Sequence, residues 1–210
     1  MVSYLLGGDK RLAHAFLVIA GMVFFGLCSG NRLAALALLL ATGVIVYIAS
    51  SAHPDPARLF GLVTGRPLMP AWLLAGLLAG LALSVYCRYY TGFDIIPQKL
   101  RLTAIIAPLI GITEELVYRG LVQGLLSHRN RTIAIITASA GHSAYKVALL
   151  TTSTVSGTFP PLTLALFTFF TGCLFGYFRL RSGTIYPAVA GHAFFDLIVY
   201  GDQPVPDWVW

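Results

Sequence analysis

Two adjacent glutamates, Glu114 and Glu115, lie inside the hydrophobic run TAIIAPLIGITEELVYRGLVQGLL, and Arg119 follows one helical turn after Glu115. Ionisable groups in lipid are costly unless they are paired or line a polar cavity, so such a cluster marks a functional site by default. Two other apolar runs carry similar groups, His142 with Lys146 and His192 with Asp196. A buried carboxylate can take a proton from water. An imidazole can steer that water or steady a developing oxyanion. Hydrolysis is the chemistry these residue types suggest. Glu114, His142 and His192 are also a ligand set with open positions for a divalent metal such as zinc, although the sequence has no H-E-x-x-H motif.

Positioning these groups requires helices that cross a bilayer. Apolar runs predict seven spans, roughly 12–29, 33–50, 69–87, 102–126, 132–150, 161–178 and 184–200. The fourth contains Pro108 and Gly111 and is expected to kink or tilt, with an eighth helix if it splits there. Glu114 lies 13 residues from Ser127, and His142 and His192 each lie 11 from a loop arginine, Arg131 and Arg181. At 1.5 Å per residue all three sit roughly 15–20 Å in from the same end of the bundle. Glu115 and Arg119 share a helix face and can pair, and so can His192 and Asp196. Glu114 points about 100° away from Glu115 and is expected to face a central cavity. Gly141 and Gly191 each precede a histidine, where a missing side chain would let a helix or an extended peptide approach closely. Lys146 reads as a residue that snorkels or pairs with a carboxylate, and Tyr118 and Tyr145 as packing residues.

Composition sets the class. The chain has 210 residues, 57% hydrophobic and 10% charged, against about 25% charged for soluble domains. The mean hydropathy is +0.79. The expected fold is all-α: one polytopic transmembrane helical bundle of seven or eight membrane helices spanning 1–210 as a single integral membrane domain. The net charge of +6 sits in scattered loop residues without an aromatic-basic patch, which speaks for bilayer anchoring and against nucleic acid. Eight basic residues fall on one side (Lys10, Arg11, Arg58, Arg66, Arg129, Arg131, Arg179, Arg181) and four on the other (Arg32, Arg88, Lys99, Arg101). The second side also takes the loop 151–160 and the tail with Asp202 and Asp207. The bias predicts a cytoplasmic N-terminus. The first helix is read as retained rather than cleaved. Cys28, Cys87 and Cys173 lack metal or redox spacing and read as small buried residues.

The motifs resemble a known family over about residues 98–200. EELVYR (Glu114–Arg119) is similar to its Glu-Glu-x-x-x-Arg motif, and HAFFD (His192–Asp196) to its His-x-x-x-Asn/Asp motif. His142 matches the histidine of its Phe-x-x-x-His motif, with Ala138 in place of the Phe. The chain thus resembles the CAAX prenyl protease 2 (Rce1-like) and bacteriocin-processing family of intramembrane proteases, also called CPBP or Abi. The resemblance implies an intramembrane endopeptidase with Glu114 as base, His142 assisting, and His192 with Asp196 at the oxyanion. Glu115 and Arg119 would support. No cofactor is favoured; a metal, if bound, would take Glu114, His142 and His192. Asp196 in place of Asn is a poorer oxyanion donor unless protonated, and Ala138 could widen the cavity. Expected partners are a peptide or membrane-protein substrate and the bilayer, in a prokaryotic plasma membrane. A silent membrane chaperone or immunity scaffold and a small proton-coupled transporter are the other readings the residues allow.

Overall fold

A computed structural model describes residues 2–152 and 160–204, with side chains from residue 10 onward. Asp207 and most of the 151–160 loop lie outside the described residues. The chain forms α1 (Val2–Leu27), α2 (Arg32–Ser51), α3 (Pro56–Phe60) and α4 (Met69–Thr91). After these come α5 (Thr103–Glu115), a π-helical stretch (Leu116–Val122), α6 (Gln123–Leu126), α7 (Arg131–Thr152), α8 (Pro161–Ser182) and α9 (Tyr186–Tyr200).

Among the described residues, five helices are long and apolar enough to cross a membrane: α1 from Lys10, α2, α4, α7 and α8. Their outward faces carry bare Leu, Phe and Tyr, such as Phe24, Leu33, Leu40, Leu78 and Phe170. That is the pattern expected where hydrocarbon rather than water is the solvent. The two other expected spans have a different build. The 102–126 run does not split into two helices. It is one rod in three successive stretches, α5, the π turn and α6. The last span is only 15 residues, α9. Both are inner helices that carry buried polar residues, and each regular stretch is short, 13 residues in α5 and 15 in α9.

The connections gather at two ends. At one, Ile185 donates its N–H to Gly61 O at 2.9 Å, and Arg179 reaches Leu59 O at 2.5 Å. Asp55 caps α3 by accepting from Arg58 N at 2.9 Å, and Gly61 closes it in the left-handed region. At the other end Ser29 and Thr152 share a hydrogen bond of 2.9 Å. Arg101 N–H also meets Gly201 O there at 2.7 Å. Arg88 binds that end together: its guanidinium donates to Asp94 O, to Ile198 O at 2.8 Å, and to both carboxylate oxygens of Asp202 at 3.0 and 2.7 Å.

Close helix crossings bring the inner helices together. A Cβ at Gly76 would overlap Pro187 O, one at Gly80 would overlap Gly191 O, and one at Gly111 would overlap the Asp196 carboxylate. Small residues four apart on α4 therefore let α9 pack backbone to backbone. Gly191 serves this contact and Gly141 a contact with Ile19 of α1. Both are helix approaches rather than peptide approaches. Ala138 packs among Ala15, Val18, Leu121 and Val122. It is not on the cavity wall described below, so its small size does not widen that cavity.

Candidate active site

The π turn is the local feature that shapes the site. Gln123 N–H reaches back five residues to Tyr118 O. Insertion of a wider turn into a helix rotates the side chains around it and recurs at functional sites. Here it follows directly on Glu114 and Glu115 and contains Arg119 and Tyr118. All four are buried, at 2% exposure or less.

Arg119 is the hub. Its Nη1 lies 3.1 Å from Glu115 Oε1 and 2.8 Å from His142 Nδ1 on α7. A guanidinium only donates, so Nδ1 of His142 must accept, and the proton of a neutral ring sits on Nε2. That N–H points at Glu114 Oε2, 3.1 Å away. The tautomer of His142 is thus fixed by its arginine. The ring is also clamped by Tyr118, whose centroid is 4.7 Å off, and by Tyr145 at 6.3 Å. The two tyrosines expected to pack do so, against the histidine itself.

His192 comes from α9. Its Nδ1 donates to Glu115 Oε1 at 2.8 Å, and its Nε2 stands 3.7 Å from both Glu114 Oε2 and Asp196 Oδ2. Spacing along α9 allows Asp196 to pair with this ring and orient it. The structure gives that part to Glu115, which makes the shorter and aligned contact. Asp196 stays one turn away at a distance that is not a hydrogen bond. Glu115 therefore joins two helices through one oxygen, to Arg119 on its own rod and to His192 on α9.

Glu114 also receives a cation. Lys146 Nζ sits 2.6 Å from its Oε1. Among the described residues Oε1 has no hydrogen-bond partner, so this contact is an ion pair rather than an aligned hydrogen bond. With three carboxylates (Glu114, Glu115, Asp196) and two permanent cations (Arg119, Lys146), the buried cluster is neutral when His192 carries its second proton. Neutrality is what a low-dielectric site demands.

A cavity of about 680 Å³ reaches this cluster. Glu115, Arg119, His142, Lys146, His192 and Asp196 form its polar wall. The rest is largely apolar, and it extends past Phe167 and Phe195 to Phe93, Thr103, Gln203 and Pro204 at the Arg88 end. Glu114 is not part of the wall, contrary to the expectation from helix angle. It lies behind His142, Lys146 and His192, with Oε2 toward the two imidazoles and Oε1 toward the ammonium.

The donor set does not suit a metal. Both ring nitrogens of His142 are engaged, Nδ1 by Arg119 and Nε2 by Glu114, and Nδ1 of His192 is held by Glu115. An ammonium already sits on Glu114. Only one ring nitrogen, Nε2 of His192, remains for a ligand bond. Among the described residues no group of three or more His, Cys, Asp or Glu has metal-holding geometry.

The sequence singled out Glu114, Glu115, Arg119, His142, His192 and Asp196, and the structure gathers all six. Of the two readings of Lys146, pairing with a carboxylate is the one that forms, and the partner is Glu114. Four of the contacts run between helices (Arg119–His142, Glu115–His192, Glu114–His142, Glu114–Lys146), where spacing along one helix carries no signal.

Residues 96–198, just under half of the chain, match the family model described as Type II CAAX prenyl endopeptidase Rce1-like, which supports broad membership of that family. The matched stretch contains all six residues and leaves α1 to α4 outside. No curated protein matches the chain, and no solved structure does.

Proposed function

We propose that this chain is an intramembrane endopeptidase that hydrolyses a peptide bond with water activated by Glu114. One observation carries the reading. Glu114 Oε2 lies 3.1 Å from His142 Nε2 and 3.7 Å from His192 Nε2, behind the wall of a cavity large enough for a peptide segment. A buried carboxylate, two imidazoles and an apolar channel are the parts that general-base hydrolysis in a membrane needs.

In this reading the water sits against Glu114 Oε2 on the side of His192. His142 donates Nε2–H to the same oxygen and fixes its direction. Glu114 takes the water proton while the water oxygen attacks the carbonyl carbon, and then delivers that proton to the leaving amine. His192, held through Nδ1 by Glu115, turns Nε2–H toward the developing oxyanion. Arg119 positions both Glu115 and His142. Asp196 balances the charge of His192.

The same proposal takes the segmented rod and α9 as membrane helices, which makes seven with the five long ones. It places the N-terminus and the loops rich in arginine in the cytoplasm of a prokaryotic plasma membrane. The substrate is then an unprenylated leader, sorting or membrane peptide entering from the Arg88 end. The test is reconstitution in liposomes with transmembrane peptides in 18O-labelled water. The proposal expects new carboxyl termini that carry the label; intact peptides throughout would refute it. Proton flux coupled to a solute, without cleavage, would favour a carrier instead.

A further inference from the structure

The mechanism above leaves the oxyanion short of donors. Asp196 stands where the resemblance would accept an asparagine, and a carboxylate accepts but does not donate. His192 has only Nε2–H to give, because Nδ1 is held by Glu115 at 2.8 Å. Arg119 on the cavity wall has two donors without a partner among the described residues, Nε and Nη2, but both are fully buried; Lys146 offers donors that are not. The Lys146 ammonium carries three N–H bonds. Glu114 is the carboxylate it touches among the described residues, through one short and poorly aligned contact. Its side chain is 21% exposed, against 1% for Arg119, so it is the more accessible of the two permanent cations on the cavity wall.

The placement is chemically specific. The two oxygens of one carboxylate face different groups: Oε2 faces His142 and His192, where the proposed mechanism puts the water, and Oε1 faces Lys146. A carbonyl whose carbon is attacked by that water has its oxygen within reach of that ammonium. Resting on the reading of Glu114 as base, we propose that Lys146 is a catalytic residue, the donor to the oxyanion. Before attack its charge is balanced by Glu114. As the water oxygen bonds to the carbonyl carbon, the water proton passes to Glu114 and the carbonyl π pair moves onto oxygen. Negative charge thus leaves Glu114 and appears on the substrate, and Lys146 turns to follow it. When the tetrahedral carbon collapses, the carbonyl bond re-forms and the C–N bond breaks. The amine takes the proton from Glu114, and Lys146 returns to the carboxylate. The net charge of the site is the same throughout, which a low-dielectric cavity rewards.

The test uses the full chain in nanodiscs and a transmembrane peptide of about 20 apolar residues. Its central amide is either intact or replaced by a phosphinate, an anionic tetrahedral mimic. Removing Lys146 alone would strand a buried carboxylate, so the comparison is made in Glu114→Gln protein, where adding Lys146→Met restores neutrality. The proposal expects Glu114→Gln protein to bind the phosphinate at least about tenfold tighter than the parent peptide, as a site built for the transition state does. Glu114→Gln/Lys146→Met should bind the two alike, and Glu114→Gln/Lys146→Arg should recover part of the preference. In the wild-type background, Lys146→Met should lower kcat on the order of 10²- to 10³-fold with KM within about twofold. A phosphinate preference unchanged by loss of the lysine overturns the assignment, even if wild-type protein cleaves peptides. A preference that depends on Lys146 in a wild-type protein unable to hydrolyse any peptide refutes the protease reading alone. No binding of either probe overturns both.

Discussion

Replacing Arg119 with methionine is the sharpest test of how the site is held together. Arg119 is almost fully buried and meets two partners, Glu115 Oε1 at 3.1 Å and His142 Nδ1 at 2.8 Å. At an effective dielectric of about 20, a unit charge pair at that distance is worth roughly 5 kcal/mol before desolvation is counted. Desolvation removes much of this from the net value of the pair, but not from the cost of breaking it. The substitution leaves Glu115 charged in the interior and the His142 lone pair without its donor. Breaking such a pair costs about 3–5 kcal/mol. For a chain of this size that is a fall of roughly 6–20 °C in Tm. The double substitution Arg119→Met/Glu115→Gln removes both charges, and its glutamine oxygen still accepts from His192. It should recover more than half of the loss. Thermal unfolding in detergent, followed by tryptophan fluorescence, reads both proteins. A single variant as stable as wild type, or a double variant no better than the single, refutes the view that Arg119 neutralises a buried carboxylate.

Three further outcomes follow from other parts of the molecule. Gly80→Val pushes a side chain into the Gly191 carbonyl oxygen. It should separate α4 from α9, destabilise the protein by about 1–3 kcal/mol or more, and abolish a cysteine cross-link engineered across that crossing; an unchanged cross-link contradicts the packing. The Arg88 guanidinium beside Asp202 holds that carboxyl below the usual carboxylate range. The folded value is depressed, so its stabilisation is present above the unfolded value of about 3.9 and fades as pH falls through the folded one. The Tm gap between wild type and Asp202→Asn should therefore be full at neutral pH and close in acid, and a gap independent of pH contradicts the ion pair. Because three of the four ring nitrogens of His142 and His192 are engaged within the cluster, treatment of active protein with a chelator should leave its cleavage rate within about twofold, and a loss restored by added zinc would overturn the donor assignment.

The parts of this architecture that depend on local pattern were readable from the chain. The apolar runs gave the positions of the helices, because a membrane helix advertises itself by length and hydropathy. Pairing of Glu115 with Arg119 follows from a spacing of four. The common depth of Glu114, His142 and His192 could be counted from the loop residues, and the three side chains do meet. What could not be read is how the rod turns. A π stretch differs from an α-helix by one residue in its hydrogen bonding, and LVYRGLV carries no unusual residue to announce it. Nor does the sequence say which of two neighbouring residues meets the cavity: Glu114 was expected there, and Glu115 is found on its wall instead. Contacts across helices were equally silent. Lys146 sits one turn after His142 and could snorkel or pair with a carboxylate; only the approach of α7 to the rod shows that it pairs, and with Glu114. The short α3 was also missed, although Asp55, Pro56 and Gly61 are its cap, first-turn and stop signals in order.

The central claim is that the carboxylate of Glu114 supplies the base. Single-turnover cleavage of a membrane peptide by purified Glu114→Gln protein measures it most directly, since glutamine keeps the shape and cannot take the proton. Protein that still folds and binds the peptide should lose cleavage by about a thousandfold or more. Cleavage within a few-fold of wild type would contradict the account.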